Sequence, residues 1–321
     1  MGDHIVTAAH QLLDIAREAA AAGAAVLAGR DDVAPSGLAL GGDGVETKSS
    51  ESDLVTDFDR RAEQAVRTVL RRRRPEDTVT GEEYGTVAPD GATGYRWSID
   101  PLDGTTNFVR GILYYGTSVA VQGPDGQWLV GVVHAPGLRR LWWASRDGGA
   151  FTSRLDGEGP GWPIGDPVRL RGPRGSLSAG LLSTGFGYDP ERRAQQTAAV
   201  AAMLDSFGNL RRLGAAALDI CMVADGTVEA FAEFGIQEHD WSAAALIAEE
   251  AGVPVRRPAV ADSSVRGDWC LIGDIGIPHT RLRPLPIGLA EEQVQDGQAD
   301  DERAQDERAQ DGKVPGEGAA R

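Results

Sequence analysis

Cysteine is scarce in this chain. Cys221 and Cys270 are the only two among 321 residues. That is too few for a disulfide scaffold or a thiolate zinc site, and both lie in apolar runs where a free thiol fills core space. No stretch reaches the roughly 18 uninterrupted apolar residues that span a bilayer, and the opening MGDHIVTAAHQLLDIAREAA lacks the charged-then-apolar layout of a secretory signal. A cytoplasmic protein without membrane association is therefore expected. Positive charge is also short, with 32 bases against 48 acids and a formal net charge of -16. Such a chain repels nucleic-acid phosphates, which argues against a nucleic-acid partner. There is no Walker loop and no GxSxG, and the five histidines are scattered without metal-pair spacing.

What is present is acid, unevenly placed. From Ala290 to Arg321 there are ten acids and four bases, so -6 belongs to this tail and -10 to residues 1–289. The tail has no aromatic residue, few aliphatics and a tandem DERAQ, and it is expected to be disordered. Ahead of it, residues 5–29 carry apolar side chains at helical spacing with abundant alanine, residues 31–44 read as a loop, and a second helix starts near Asp57. That helix ends in Arg71 to Arg74 before Pro75, as cations in a last turn often do. β-like runs follow at 78–80, 95–99, 114–122, 128–135 and 138–145, separated later by tight turns, which suggests an antiparallel meander. The Gly-, Pro- and Trp-rich segment 147–173 is a candidate boundary. Beyond it come a strand at 177–183, helices near 189–206 and 214–224, a strand at 227–234, a helix near 241–251 and a strand at 268–273, an α/β alternation. The division expected is 1–165 (α+β), 166–289 (α/β) and 290–321 (tail).

Four acidic patterns stand at the ends of these elements. Lys48 to Asp59 is a polar loop opening a helix; Gly81-Glu82-Glu83 follows a short strand; Asp100-Pro101-Leu102-Asp103-Gly104-Thr105-Thr106-Asn107-Phe108 follows the strand YRWSI; His239-Asp240-Trp241 opens a helix. Singly, each has an ordinary reading as turn, cap or solvated charge. Together they sit where loops converge. Two carboxylates about 4 Å apart repel by roughly 4 kcal/mol at an effective dielectric near 20, so a cluster of them calls for a cation. All-oxygen ligands select Mg²⁺ or Mn²⁺ over Zn²⁺. Backbone N–H groups and hydroxyls of Gly104, Thr105 and Thr106 beside such cations suit an anion, and phosphate ester hydrolysis is the reaction that follows.

Gly81-Glu82-Glu83, the string from Asp100 to Phe108, and Asp240 with its helix resemble the inositol monophosphatase family of lithium-sensitive, magnesium-dependent phosphatases, over roughly residues 6–275. The resemblance implies a mixed α/β (α+β) fold, a layered α-β-α-β-α sandwich of the inositol monophosphatase and fructose-1,6-bisphosphatase type, and a homodimer. It implies two or three Mg²⁺ ions, with Mn²⁺ as an alternative. Glu82, Asp100 and the Leu102 carbonyl would hold the activating ion; Asp100, Asp103 and Asp240 the second; Glu82 would also help a third. Thr105 and Asp59 would orient the metal-activated water, with Asp59, Glu82 and Thr105 as the catalytic set. Asp103, Gly104, Thr105, Ala216, Glu233 and Asp240 would line the substrate site. The implied substrate is inositol 1-phosphate or a similar small polyol phosphate. Alternatives are histidinol phosphate, fructose 1,6-bisphosphate, or a regulatory binding role using the acidic tail. The family's usual Trp-Asp order is here His239-Asp240-Trp241, and Pro278, Pro284 and Pro286 weaken the usual C-terminal helix.

Overall fold

The apolar spacing of the N-terminal segment produces α1 (Gly2–Ala28), whose Leu12, Ile15, Ala16 and Ala19 are buried. The structure, a computed structural model, describes residues 2–32, 45–47, 54–156, 163–187, 190–258, 268–278 and 282. The acidic tail, and the expected loop beyond residue 32, lie outside the described residues. Residues 1–281 make up one compact unit.

The second helix, α2 (Asp57–Arg73), opens on a capping box. Thr56 Oγ1 accepts the Phe58 amide at 3.1 Å, and Asp59 Oδ2 accepts the Thr56 amide at 2.7 Å. At the other end three of the four clustered arginines form ion pairs, while Arg71 Nη2 lies 3.4 Å from Thr68 Oγ1. Arg72 and Arg73 meet Glu18 of α1, and Arg74 grips Asp77 through Nε at 2.7 Å and Nη2 at 3.0 Å.

Eight strands form the large sheet: β3 (Thr78–Gly81), β4 (Gly85–Val87), β5 (Arg96–Asp103), β6 (Gly116–Gln122), β7 (Trp128–Ala135), β8 (Arg140–Ser145), β9 (Gly149–Leu155) and β10 (Pro163–Arg169). Their order is β10-β9-β8-β7-β6-β5-β3-β4, with β5 through β10 an antiparallel meander and β3 parallel to β5. Short β1 (Val45–Thr47) and β2 (Leu54–Thr56) pair separately. The segment 147–173 thus contains β9 and β10, and the chain leaves the large sheet only after Arg169.

The rest builds a five-stranded mixed sheet from β11 (Leu181–Thr184), β12 (Asn209–Arg211), β13 (Ala230–Phe234), β14 (Val255–Arg256) and β15 (Trp269–Ile272), in the order β12-β11-β13-β15-β14. Between its strands run α4 (Pro190–Leu204), α5 (Ala216–Ala224) and α6 (Glu238–Glu250). The short strands β12 and β14, and β4 in the first half, carry too few residues to show a period in the sequence.

Strand alternation decides the layering. In β6 and β7, Val119, Val121, Val130 and Val132 pack with α1 and α2, while Ala120 and Val133 pack with α5 and α6 on the opposite face. The second interface is lined by small residues: a Cβ on Gly131 would lie 2.5 Å from the Ala243 carbonyl oxygen. Glycine here, with Ala243 to Ala245 on α6, lets helix and sheet backbones approach closely. The helices α5 and α6 also back onto the small sheet, and Gln196 ties α4 to β13 by donating to the Phe234 carbonyl at 2.9 Å. The layers run α-β-α-β-α.

Candidate active site

The expectation that β5 ends at Ile99 and a turn follows is corrected by the structure. The strand continues through Asp103, and the β5–β6 pairing slips between Asp100↔Ser118 and Asp103↔Gly116. Three steps on β5 oppose two on β6, so one residue is extra. Asp100 and Asp103 are an odd number apart and would point to opposite faces of a regular strand; the bulge brings them to the same side. Thr117 Oγ1 holds the bulge by donating to the Pro101 carbonyl at 3.0 Å. Both carboxylates are buried, at 2% and 7% exposure, and the Asp103 charge raises the cost of ionising Asp100.

Three helix N-termini meet at this edge, and each is capped by one of the expected site acids. Asp59 closes the α2 box described above. Asp103 reaches α5, where Oδ1 accepts the Ala216 amide at 3.0 Å and Oδ2 the Ala217 amide at 2.8 Å. Asp240 stands at the third position of α6 and accepts the Gln237 amide through Oδ2. The capping reading and the functional reading are compatible, because an ionised carboxylate has about four lone-pair sites and these bonds use one or two. Capping also places negative charge at the positive ends of helix dipoles, which holds each carboxylate in place.

The electrostatics follow from crowding. Burial pushes Asp100 well above the usual carboxylate range, and the charges of Glu82, Asp103 and Asp240 push it further. Burial does the same to Asp103, with Asp240 next in effect. Asp59, fully buried, is raised to about 6 by burial, with the Glu82 charge adding and hydrogen bonds from Thr56 and Thr105 opposing. Glu233 on β13 is raised by burial and by Asp240, Asp219 and Asp103, against the nearby Arg212. These mutual effects place Glu82, Asp100, Asp103, Asp240 and Glu233 in one neighbourhood.

Thr105 begins the short helix α3 (Thr105–Arg110), whose N-cap Gly104 has φ 90°. Only glycine adopts this conformation without strain, and a Cβ there would lie 3.0 Å from the Tyr114 carbonyl oxygen and 3.1 Å from the Ala215 Cβ. The Thr105 hydroxyl lies 3.0 Å from Asp59 Oδ1 and 3.1 Å from the Leu102 carbonyl. Ala216, expected at the substrate, spends its amide on Asp103. His239 Nε2 is 3.7 Å from Asp240 Oδ1.

The donor chemistry suits a hard divalent cation: all oxygen, buried, mutually repelling, and without a lysine or arginine paired to Asp100 or Asp103 among the described residues. As placed, no three acidic, imidazole or thiolate side chains among the described residues form a closed metal-holding group. The fit therefore rests on donor type and on uncompensated charge.

Sequence reasoning missed several neighbours. Asp219 on α5 accepts the Tyr114 hydroxyl at 2.8 Å, and burial raises Asp219 to about 7 against Tyr114, Ser183 and Arg212. Glu63, fully buried on α2, accepts the Glu83 amide at 2.7 Å. An acid four residues after Asp59 on a helix was the available signal for Glu63, but it reads as a surface charge until the packing is known.

Among the described residues no helix is long and apolar enough to cross a membrane. The inositol monophosphatase family model matches residues 8–272. An inositol-1-monophosphatase of Mycobacterium leprae is 40% identical over 68% of this chain and 74% of its own length. A histidinol-phosphatase of Mycobacterium tuberculosis is 39% identical over 62% of this chain and 72% of its own. The solved structure of Mycobacterium tuberculosis SuhB superposes with a TM-score of 0.66 at 32% identity, covering 86% of this chain and 98% of that one. With the bulged Asp100–Asp103 pair, the Thr105–Asp59 contact and these likenesses in hand, this chain belongs to the inositol monophosphatase family and is a phosphoric monoester hydrolase.

Proposed function

We propose that the protein hydrolyses inositol 1-phosphate or a similar small polyol phosphate, with Mg²⁺ bound at Glu82, Asp100, the Leu102 carbonyl, Asp103 and Asp240. The observation that carries this reading is the set of buried, mutually repelling carboxylates beside the Thr105–Asp59 hydrogen bond. Bound Mg²⁺ would offset that repulsion, lower the pKa of a water and stabilise charge on the phosphate oxygens.

The protein's own groups supply orientation. With Asp59 ionised, the Thr105 hydroxyl donates to Oδ1, which leaves its lone pairs to accept a hydrogen bond from the attacking water; as that water gives its proton to Thr105 Oγ1, the Thr105 proton would pass to the Asp59 carboxylate. Amides of Gly104 and Thr105 at the start of α3 would donate to the phosphate. Glu233 would accept hydrogen bonds from substrate hydroxyls.

A second reading, histidinol phosphate, is favoured by the 39% identical histidinol-phosphatase and by acids at Glu233 and Asp219, which suit an ammonium group. The test is phosphate release from a panel containing inositol 1-phosphate, histidinol phosphate and fructose 1,6-bisphosphate, with and without Mg²⁺, and with Asp103→Asn as control. The polyol reading requires the highest kcat/KM on inositol 1-phosphate. Release that persists without divalent ions, or a wild-type rate for Asp103→Asn, would overturn the metal-dependent mechanism.

A further inference from the structure

Glu82 follows β3, which pairs with β5, in the turn that leads to the edge strand β4 of the large sheet. Turns beside an edge strand fray, yet a metal ligand must be held within a fraction of an ångström. The Glu82 amide donates to the Ile99 carbonyl of β5 at 3.3 Å, and the residues that follow it are tied by α2. Glu63 has 0% exposure; its Oε2 accepts the Glu83 amide at 2.7 Å and its Oε1 the Tyr84 amide at 3.2 Å. Its charge is matched by Arg67 one turn later, whose Nε donates to Oε1 at 2.7 Å. Arg67 then extends Nη2 to the Gly85 carbonyl and lies over the Tyr84 ring, 6.0 Å from its centroid. Gly81 completes the arrangement, because a Cβ there would collide with the Glu63 carboxylate.

We propose that Glu63, with Arg67 as its counter-charge, is the positioning residue that sets Glu82 for the divalent cation. Its carboxylate is engaged by the Glu83 and Tyr84 amides and by Arg67, so it would act through Glu82 and not on the substrate or cation directly. The pair bonds three consecutive residues after Glu82, namely Glu83, Tyr84 and Gly85, so it fixes the backbone from which Glu82 projects. The same helix carries Asp59 at its N-terminus, so α2 sets both Asp59 and Glu82 from one rigid body. A buried carboxylate that satisfies two amides and one guanidinium is costly to leave half-paired, which makes the geometry stiff.

The inference rests on the metal-dependent reading above, and its test separates the two. Mn²⁺ binding to the full chain is measured by electron paramagnetic resonance alongside the Mg²⁺ dependence of phosphate release, for wild type, Glu63→Gln, Arg67→Lys and Gly81→Ala. Expected are Mn²⁺ binding by wild type, and affinity weakened about 10- to 100-fold in the variants, the usual range when a group supporting a metal ligand is lost. The substrate KM at saturating Mg²⁺ should stay within about twofold, a split that general destabilisation would not produce. Glu63→Gln keeps one acceptor oxygen and the side-chain volume; if it fails to fold, Gly81→Ala and Arg67→Lys disturb the same contact from the opposite sides. Wild type that binds no Mn²⁺ overturns the metal reading itself. Wild type that binds, with folded variants that bind equally well, overturns the positioning role alone.

Discussion

Thr105 Oγ1 stands 3.0 Å from Asp59 Oδ1 and 3.1 Å from the Leu102 carbonyl, so one hydroxyl joins the start of α2 to the bulged end of β5. Forty-six residues separate Thr105 from Asp59, and only the packing of α2 on the large sheet brings them together. Removing this hydroxyl should slow the chemical step while leaving the carboxylates in place. Thr105→Ala is expected to lower kcat by about 10²- to 10⁴-fold, the usual contribution of a positioned proton acceptor. Thr105→Ser, which keeps the oxygen, should stay within about tenfold. Equal rates for the alanine and serine variants in steady-state assays would count against the role.

Asp100 is held at a cost to the metal-free fold, since burial and the Glu82, Asp103 and Asp240 carboxylates all disfavour its charge. Asp100→Asn keeps an oxygen to accept the Leu102 amide, which the carboxylate does at 3.0 Å, and removes the charge. Without Mg²⁺ at pH 8 the variant should be more stable than wild type by on the order of 1–3 kcal/mol, and it should release no phosphate. Thermal unfolding with and without Mg²⁺ checks both halves: the ion should raise the wild-type midpoint and leave the variant's unchanged. An Asn variant less stable than metal-free wild type would refute the account of stored repulsion.

The Asp219 carboxyl offers a pH signature. Its pKa in the folded protein is raised from the ordinary aspartate range to about 7, chiefly by burial. The folded state therefore binds the proton more tightly than the unfolded state, and this contribution to stability is full below about pH 4 and lost as pH rises to about 7. At one pKa unit per 1.36 kcal/mol, the loss is on the order of a few kcal/mol. Urea unfolding of metal-free wild type and Asp219→Asn at pH 5 and pH 8 should show the variant gaining relative stability at the higher pH. A difference that does not change with pH would show that Asp219 is not protonated in the fold.

Gly104 has φ 90° with two neighbours near 3 Å from where a Cβ would stand. Gly104→Ala should cost about 1–3 kcal/mol for a non-glycine residue in a strained backbone region. The midpoint of thermal unfolding should fall accordingly. Because Gly104 sits between Asp103 and Thr105, phosphate release should fall further than the stability loss explains at a temperature where the variant stays folded.

Much of the molecule was legible along the chain, because local physics writes local signals. Alanine-rich helical spacing reports α1, and the runs at 114–122, 128–135 and 138–145 report β6, β7 and β8 almost to their ends. Turn residues between them report the meander. The acids proposed for the site stand out in the sequence as well: Asp59, Glu82, Asp103 and Asp240 lie at or beside element ends, and the string from Asp100 to Phe108 points to the family before any coordinate is known.

Other features were decided only by tertiary structure, since their causes lie far apart in the chain. That Asp100 and Asp103 face the same way depends on a bulge set against β6, whereas strand periodicity alone would oppose them. That Asp103 caps α5 joins residues 113 and 114 positions apart. Glu63 and Asp219 look like ordinary helical acids until burial removes their water and leaves each with specific partners. The identity of each acid is a property of the sequence; the repulsion among them, and hence the need for a cation, arises from a fold that gathers them away from solvent.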